Sequence, residues 1–402
     1  MSEQTQTYIV TYKSKDKRSD KKTDKAELFQ NTTKSKASIV DTSSLMRMPH
    51  ADSIENIVLD INRYEVPIIS ASLTGEQVSA LRKDSNVVSV EPDGKCYALY
   101  TIQDQPTPTS ETVPWGIDRV KATQTWDITR GKGIKVAVCD TGIDYTHPDL
   151  SPNYKGGISF VPTESDPKDF NRHGTHVSGT IAAAANGIGV IGIAPSAYLY
   201  AVKILNSGGS GNWSWLIAGI DWCINNGMHV LNMSLGGASA PTALQSMCDL
   251  AWSKGLLLIA AAGNSGPPDN TVGYPAMYGS VVAVSAIDSA NTIASFSSRG
   301  PKVELCAPGV DILSTVPGGG YGNLSGTSMA CPHVTGCAAL ALSTHRWPPG
   351  AVARNVAIRR LLAATADNLG IPGRDNLYGF GRVDAEEAAF SLTIPPSIPG
   401  IP

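Results

Sequence analysis

Four short segments place a reactive residue type at the end of an apolar run or at the opening of a helical one. Val136-Ala-Val-Cys-Asp140-Thr-Gly142 ends a strand-like run on a carboxylate, which would need a partner if buried. Asn171-Arg-His173-Gly-Thr-His176-Val opens a helix-like stretch with a histidine. Leu258-Ile-Ala-Ala-Ala-Gly263-Asn264 closes another apolar run on an amide. Gly326-Thr-Ser328-Met-Ala-Cys-Pro332 begins a long apolar helix with a serine, and Pro332 falls where a first turn tolerates it. Acid, imidazole, amide and hydroxyl are the parts of an acyl-transfer site: orienter, general base, oxyanion donor and nucleophile. A helix N-terminus under the serine adds a positive dipole end where negative charge would develop. Taken singly, Asp140 reads as a cap, His173 as a surface residue, Ser328 as an N-cap and Asn264 as a turn former. Taken together, they favour the catalytic reading.

The elements between these segments suit that placement. Apolar β-rich runs at 134–139, 198–204, 230–233, 256–262 and 281–284 alternate with helical patterns at 173–185, 214–225, 243–254 and 328–344. Continuous apolar strands between helices predict a parallel sheet covered on both faces, with sites at the C-terminal strand ends.

Texture divides the chain. Residues 1–99 hold 14 Lys/Arg and 14 Asp/Glu, whereas the other 303 residues hold only 18 and 21. The first part reads as a small α+β domain. Strands are expected at Thr7–Tyr12, Val66–Leu73 and Val87–Glu91, with a helix over 74–83 capped by Thr74 and Gln77. The lysine-rich run 13–25 is interleaved with Asp16, Asp20 and Asp24 and reads as a solvated helix or loop. Residues 100–112 have the composition of an exposed linker, 113–390 form the larger domain, and 391–402 are a proline-rich tail. The total charge of −3 gives no general attraction to nucleic acid or anionic lipid. The longest apolar run, Leu256 to Ala262, is far below the roughly 20 residues that span a bilayer.

From Val113 to Phe390 the chain resembles the subtilisin-like serine proteases, whose signature blocks run in the order Asp, His, Asn, Ser. The resemblance implies an α/β fold with three layers around a mostly parallel central sheet, preceded by a small α+β propeptide domain. It implies a serine endopeptidase in which Asp140 orients the imidazole, His173 takes the proton and Ser328 attacks the carbonyl. Asn264 and the Ser328 N–H would hold the oxyanion. Residues 1–99 resemble the family's propeptide, an intramolecular chaperone and inhibitor, with 87–93 the clearest match. Lys95-Cys-Tyr-Ala-Leu99 would then occupy the substrate cleft, and self-cleavage is expected near Leu99–Tyr100.

The resemblance also places substrate contacts. Gly208-Gly209-Ser210 and Ser234-Leu235-Gly236 would pair with an extended peptide through main-chain bonds, which predicts broad specificity. The stretches around Gly263 and Gly273 carry no charge, and a neutral pocket favours large apolar residues before the cut. A calcium loop is implied at Asn186, Asp149 and Glu111 with the carbonyls of Ala184, Ile188 and Val190, an oxygen-rich set that suits Ca²⁺. Polypeptide substrates, the chain's own propeptide as inhibitor and a monomeric state complete the expectation. Two rivals stand beside it: a transpeptidase or macrocyclase on the same fold, and a homologue that binds peptides without cutting them.

Other signals weigh less. Gly187-Ile-Gly189-Val-Ile-Gly192 matches a dinucleotide fingerprint but follows a helix instead of opening one. His173 and His176 invite a zinc reading that has no third ligand. Seven cysteines (96, 139, 223, 248, 306, 331 and 337) read mostly as buried thiols, with a Cys223–Cys248 disulfide left open. Cys139 and Cys331 are either inert packing or targets of bulky thiol reagents. Met1 to Gln6 has no basic and apolar leader pattern. Zymogen organisation favours export, and the cytoplasm is the alternative.

Overall fold

The apolar runs become the strands of the central sheet in the computed structural model, which describes residues 5–14, 25–35, 37–42, 58–62, 65–103, 108, 110–345 and 353–401. The first unit orders as β1 (Gln6–Tyr12), α1 (Lys25–Thr33), β2 (Ile39–Asp41), β3 (Val58–Ile61), β4 (Ile68–Leu73), α2 (Gly75–Lys83) and β5 (Val87–Pro92). Its sheet runs β2-β3-β4-β1-β5. Strand alternation divides β1 between two cores. Val10 and Tyr12 pack with Phe29, Val78 and Leu81 of this unit's own helices, while Ile9 joins Ile61, Ile68, Leu216 and Ile220 against the larger unit. The Thr74–Gln77 capping box forms with both reciprocal bonds. Most of the lysine-rich run lies outside the described residues. Its last member, Lys25, is not solvated: it is buried, and its Nζ donates to Ile61 O at 2.6 Å beside Asp60.

Beyond it come β6 (Lys95–Ala98), β7 (Thr101–Ile102), α3 (Trp115–Arg119), β8 (Lys135–Asp140), β9 (Tyr154–Ser159), α4 (His173–Ala182), β10 (Tyr198–Lys203), β11 (Ser210–Asn212) and α5 (Trp213–Asn225). The chain continues through β12 (Val230–Met233), β13 (Leu235–Gly236), α6 (Thr242–Ser253), β14 (Leu257–Ala261), β15 (Val281–Ile287) and β16 (Val303–Pro308). It ends in β17 (Ile312–Val316), β18 (Gly320–Ser325), α7 (Thr327–Thr344), α8 (Arg354–Ala364) and α9 (Ala385–Phe390). Seven strands form one parallel sheet in the order β16-β15-β14-β12-β8-β10-β9. One face is covered by α5 and α6, the other by α4, α7, α8 and α9. This three-layer α/β arrangement is the fold that the alternating pattern predicts.

Two connecting segments are more ordered than their composition suggests. In the expected linker, β7 pairs antiparallel with β18, and Thr112 bridges Val190. The proline-rich tail has no helix or strand, yet Arg360 and Arg374 hold the carbonyls of Pro396 and Gly400. All seven cysteines are buried free thiols. Cys223 and Cys248 are among them, so the open pairing between these two is not made. No helix among the described residues is long and apolar enough to cross a membrane.

Candidate active site

Asp140 ends β8 fully buried, and its Oδ1 lies 2.7 Å from Nδ1 of His173, the first residue of α4. A carboxylate oxygen accepts, so Nδ1 carries the proton and Nε2 presents its lone pair. That Nε2 is buried and without a partner. The close approach depends on Gly174, where a Cβ would lie 2.1 Å from Gly142 O. Arg172, just before the histidine, has φ 146, a backbone state that costs roughly 1–3 kcal/mol and persists only when neighbours enforce it.

The enforcing group is Asp169, which spacing did not mark. Its Oδ1 accepts from Thr141 Oγ1 (2.9 Å), Asn171 N (2.8 Å) and Arg172 N (3.2 Å). Its Oδ2 accepts from the N–H and hydroxyl of Thr175 at 2.9 and 2.7 Å. One buried carboxylate thus ties the end of β8 to the start of α4. Lys203 adds a second tie. Wholly buried, it donates to Thr141 O (2.5 Å) and pairs with Glu164 at 2.9 Å.

Ser328 stands in the first turn of α7. Its Oγ donates to Ser234 O at 2.7 Å and not to His173, so the base–nucleophile bond is unmade in this state. Asn264 accepts through Oδ1 from the Thr327 N–H (3.0 Å) and hydroxyl (2.8 Å). This fixes the other end of the amide as the donor. Gly263 N donates to Thr327 Oγ1 at 3.2 Å, and Gly273 N to Ala262 O at 2.9 Å. The two histidines of the zinc reading do not converge. His176 Nε2 faces the carbonyls of Ile312 and Gly322 at 2.8 and 3.0 Å.

Residues 95–103 run through the cleft. β6 lies antiparallel between β11 and β13, with Tyr97 opposite both Ser210 and Gly236 and Ala98 opposite Leu235. Ala98 N donates to Gly209 O at 3.0 Å. Gly208 is exposed and makes no such bond; pairing continues through Gly211 and Asn212, two residues beyond the expected segment. Leu99 N donates to Ser328 Oγ at 3.1 Å. A Cβ on Gly326 would lie 2.1 Å from Leu99 O, so only glycine leaves room for that carbonyl. The Tyr100 ring covers His173 with centroids 4.7 Å apart. An uncut peptide therefore presents one bond between a hydroxyl and an imidazole.

Comparison with known proteins agrees with this geometry. The subtilase family model matches residues 131–381, and the peptidase inhibitor I9 model matches 7–98. The chain belongs to the subtilase family. It is 48% identical to subtilisin E of Bacillus subtilis (strain 168) over 325 residues, covering 80% of each chain. It is 51% identical to a subtilisin of Bacillus pumilus over 285 residues, 70% of this chain and all of the relative. M-protease of Shouchella clausii (strain KSM-K16) is 47% identical over 325 residues, 80% of this chain and 79% of that one. The protein is a subtilisin-type serine endopeptidase, a hydrolase of polypeptides that carries an I9 inhibitor domain as its propeptide.

In this subtilase the inhibitor domain grips two helix N-termini. Glu91 accepts from the N–H and hydroxyl of Thr242 at the start of α6, at 2.9 and 2.7 Å. Asp93 accepts from the N–H and hydroxyl of Ser214 in α5, at 3.1 and 2.6 Å. Neither helix has a side-chain cap from its own N-cap residue, so the propeptide supplies carboxylates where the macrodipole favours them. A third contact, Asn62 Nδ2 to Asp221 Oδ1 at 2.9 Å, joins the α5 face.

The side chains of the expected calcium loop are neighbours, and their oxygens accept from N–H groups of the loop. Asp149 is fully buried; its carboxylate accepts from Asn186 Nδ2 (3.1 Å) and Val190 N (3.0 Å). Glu111 Oε1 accepts from the N–H groups of Asn186 and Gly187 at 2.7 and 2.8 Å. Among the described residues the hydrogen-bond donors to Asp149 are neutral, and no three His, Cys, Asp or Glu side chains cluster as a metal site. Asp149 is thus a buried carboxylate held by neutral N–H donors without a counter-charge, an environment in which a cation would lower the cost of its charge.

Proposed function

We propose that this subtilase cuts its own chain between Leu99 and Tyr100 and then other polypeptides through an Asp140–His173–Ser328 triad. The observation that carries the reading is the peptide in the cleft, with Leu99 N on Ser328 Oγ and Tyr100 over His173. A turn of the Ser328 hydroxyl from Ser234 O brings it to the unpartnered His173 Nε2, an alignment that free sites often complete only on reaction. The hydroxyl proton passes to Nε2 as Oγ bonds to the Leu99 carbonyl carbon. Asn264 Nδ2 and the Ser328 N–H stabilise the oxyanion. Collapse breaks the C–N bond, His173 returns the proton to the Tyr100 nitrogen, and Leu99 is left as an ester on Ser328. Water attacks the ester by the same base, giving acid and free hydroxyl. N-terminal sequencing of the active protein tests the site: Tyr100, or a later residue within 100–112, is expected, and active enzyme still starting at Ser2 would overturn it.

Large apolar residues before the cut follow from Leu99, whose side chain lies against Gly236, and from the uncharged stretches 261–263 and 272–275. A peptide panel preferring arginine there would refute this. After the cut the propeptide stays bound as an inhibitor, held in part by Glu91 and Asp93. Two helix caps of about 1 kcal/mol each set the expectation for Glu91→Ala with Asp93→Ala. The propeptide's hold should weaken by about thirtyfold, and casein hydrolysis by the cleaved but unseparated chain should rise by up to that factor.

Calcium is the ion proposed for the 184–190 loop, held by Asp149, Asn186 and Glu111 with the carbonyls of Ala184, Ile188 and Val190. Bound there, it would neutralise Asp149 and brace the loop against Thr112. Glu111 docks while Leu99–Tyr100 still fills the cleft, so loading need not await the cut. Chelation should lower the melting temperature of the uncut chain by several degrees, an effect that Asp149→Asn removes. An unchanged melting temperature would count against the ion.

A further inference from the structure

We propose that Asn171 selects a tyrosine on the leaving-group side of the cut by accepting a hydrogen bond from its phenolic hydroxyl. The inference rests on the assignment of Leu99–Tyr100 as the bond presented to Ser328. Tyr100 OH donates to Asn171 Oδ1 at 3.0 Å. The amide cannot turn its nitrogen to the cleft without loss, because Nδ2 already donates to Ser207 O at 2.8 Å. Its backbone N–H is pinned by Asp169 at 2.8 Å, and Oδ1 takes one further weak bond from His173 N at 3.2 Å. The cleft therefore meets a fixed acceptor.

Two more contacts aim the ring at it. The ring lies on His173, tilted by 36°. The chain beyond it is held as a strand, with Thr101 opposite Ser325, Ile102 opposite Leu324 and Gln103 N on Asn323 O at 3.0 Å. The charged groups facing Tyr100 are Asp140, Asp169 and Arg172. Burial, with the two carboxylates, raises the phenol's pKa, so the hydroxyl stays a donor. A phenylalanine would keep the ring contact and leave Oδ1 short of a donor. A carboxylate would face an acceptor with Asp140 and Asp169 behind it.

Quenched peptides Lys-Ala-Tyr-Ala-Leu-Xaa-Thr-Ile-Gln, with Xaa as Tyr or Phe, test this on the self-matured enzyme. The wild type should favour Tyr about three- to tenfold in kcat/KM, the worth of one neutral hydrogen bond. Asn171→Ala should bring the ratio to about one, and Asn171→Asp, which keeps an acceptor, should retain it. Because the readout is a ratio within each variant, a general loss of activity does not disturb it. Should a variant fail to mature, Tyr100→Phe is compared in the refolded full chain with and without Asn171→Ala. The slowing of self-cleavage should appear only when Asn171 is present. Cleavage at Leu–Xaa with equal rates for Tyr and Phe overturns the selection alone. Cleavage elsewhere overturns the assigned bond and the selection with it.

Discussion

Full-length Ser328→Ala will remain one species of 42.2 kDa, while the wild type separates at Leu99–Tyr100. Neighbouring hydroxyls are committed elsewhere: that of Ser234 to Ser328 O and Asn232, and that of Thr327 to Asn264 and Gly263. His173→Ala keeps the hydroxyl but loses its base, and self-cleavage should slow by roughly 10²–10⁴-fold. Self-cleavage is a cleaner readout than casein digestion, because an uncut propeptide blocks the cleft whatever the state of the serine. Mass spectrometry of the products also separates the rivals. A free carboxyl on Leu99 marks hydrolysis, a new amide on Leu99 marks transfer to an amine, and two intact chains mark a protein that only binds. A cut at Leu99 in the Ser328→Ala chain would remove that residue from the mechanism.

The legible parts of the fold are those where one physical signal dominates. β8, β12, β14 and β15 are buried along nearly their whole length and mostly apolar because the sheet is covered on both faces, with Asp140, Asn232 and Ser285 the buried polar exceptions, and such runs stand out in the sequence. β9 carries Gly156-Gly157 at the sheet edge and owes its form to pairing with β10. β18, Gly-Tyr-Gly-Asn-Leu-Ser, shows no strand period and is defined by β17 on one side and the leaving strand on the other. The reactive residues were readable because each sits where an apolar run breaks. Asp169 was not, since its role lies in five donors brought from 141, 171, 172 and 175. The direction of the Ser328 hydroxyl depends on which acceptor lies nearer, and no spacing encodes that. Apolar neighbours did foretell buried thiols. Cys139 and Cys331 are fully buried, and burial raises both thiols, which favours inert packing over attack by thiol reagents.

Acid should unfold the chain well above the pH at which carboxylates ordinarily protonate. His176 and His333 are wholly buried, and burial lowers their pKa values to about 3 and about 4. His176 donates from Nε2 to two carbonyls and His333 from Nδ1 to Met329 O. The second nitrogen of each ring is buried without a partner, so a second N–H would find no acceptor. Unfolded, both rings titrate near 6.5. Their folded values are depressed, so the stability they contribute is whole above 6.5 and is lost as pH falls towards the folded values. Each ring contributes about 1.4 kcal/mol per pH unit within that window. Between pH 6.5 and 4.5 the pair removes about 5 kcal/mol, comparable to the whole stability of many proteins. Asp93 and Asp221, raised by burial where the propeptide meets α5, act with the opposite sign and trim the slope. Urea unfolding of Ser328→Ala at stepped pH should show stability falling from pH 6.5, and His333→Gln should flatten the decline by about one proton. A stability that holds level from pH 7 to 5 would mean that these rings find acceptors for both nitrogens.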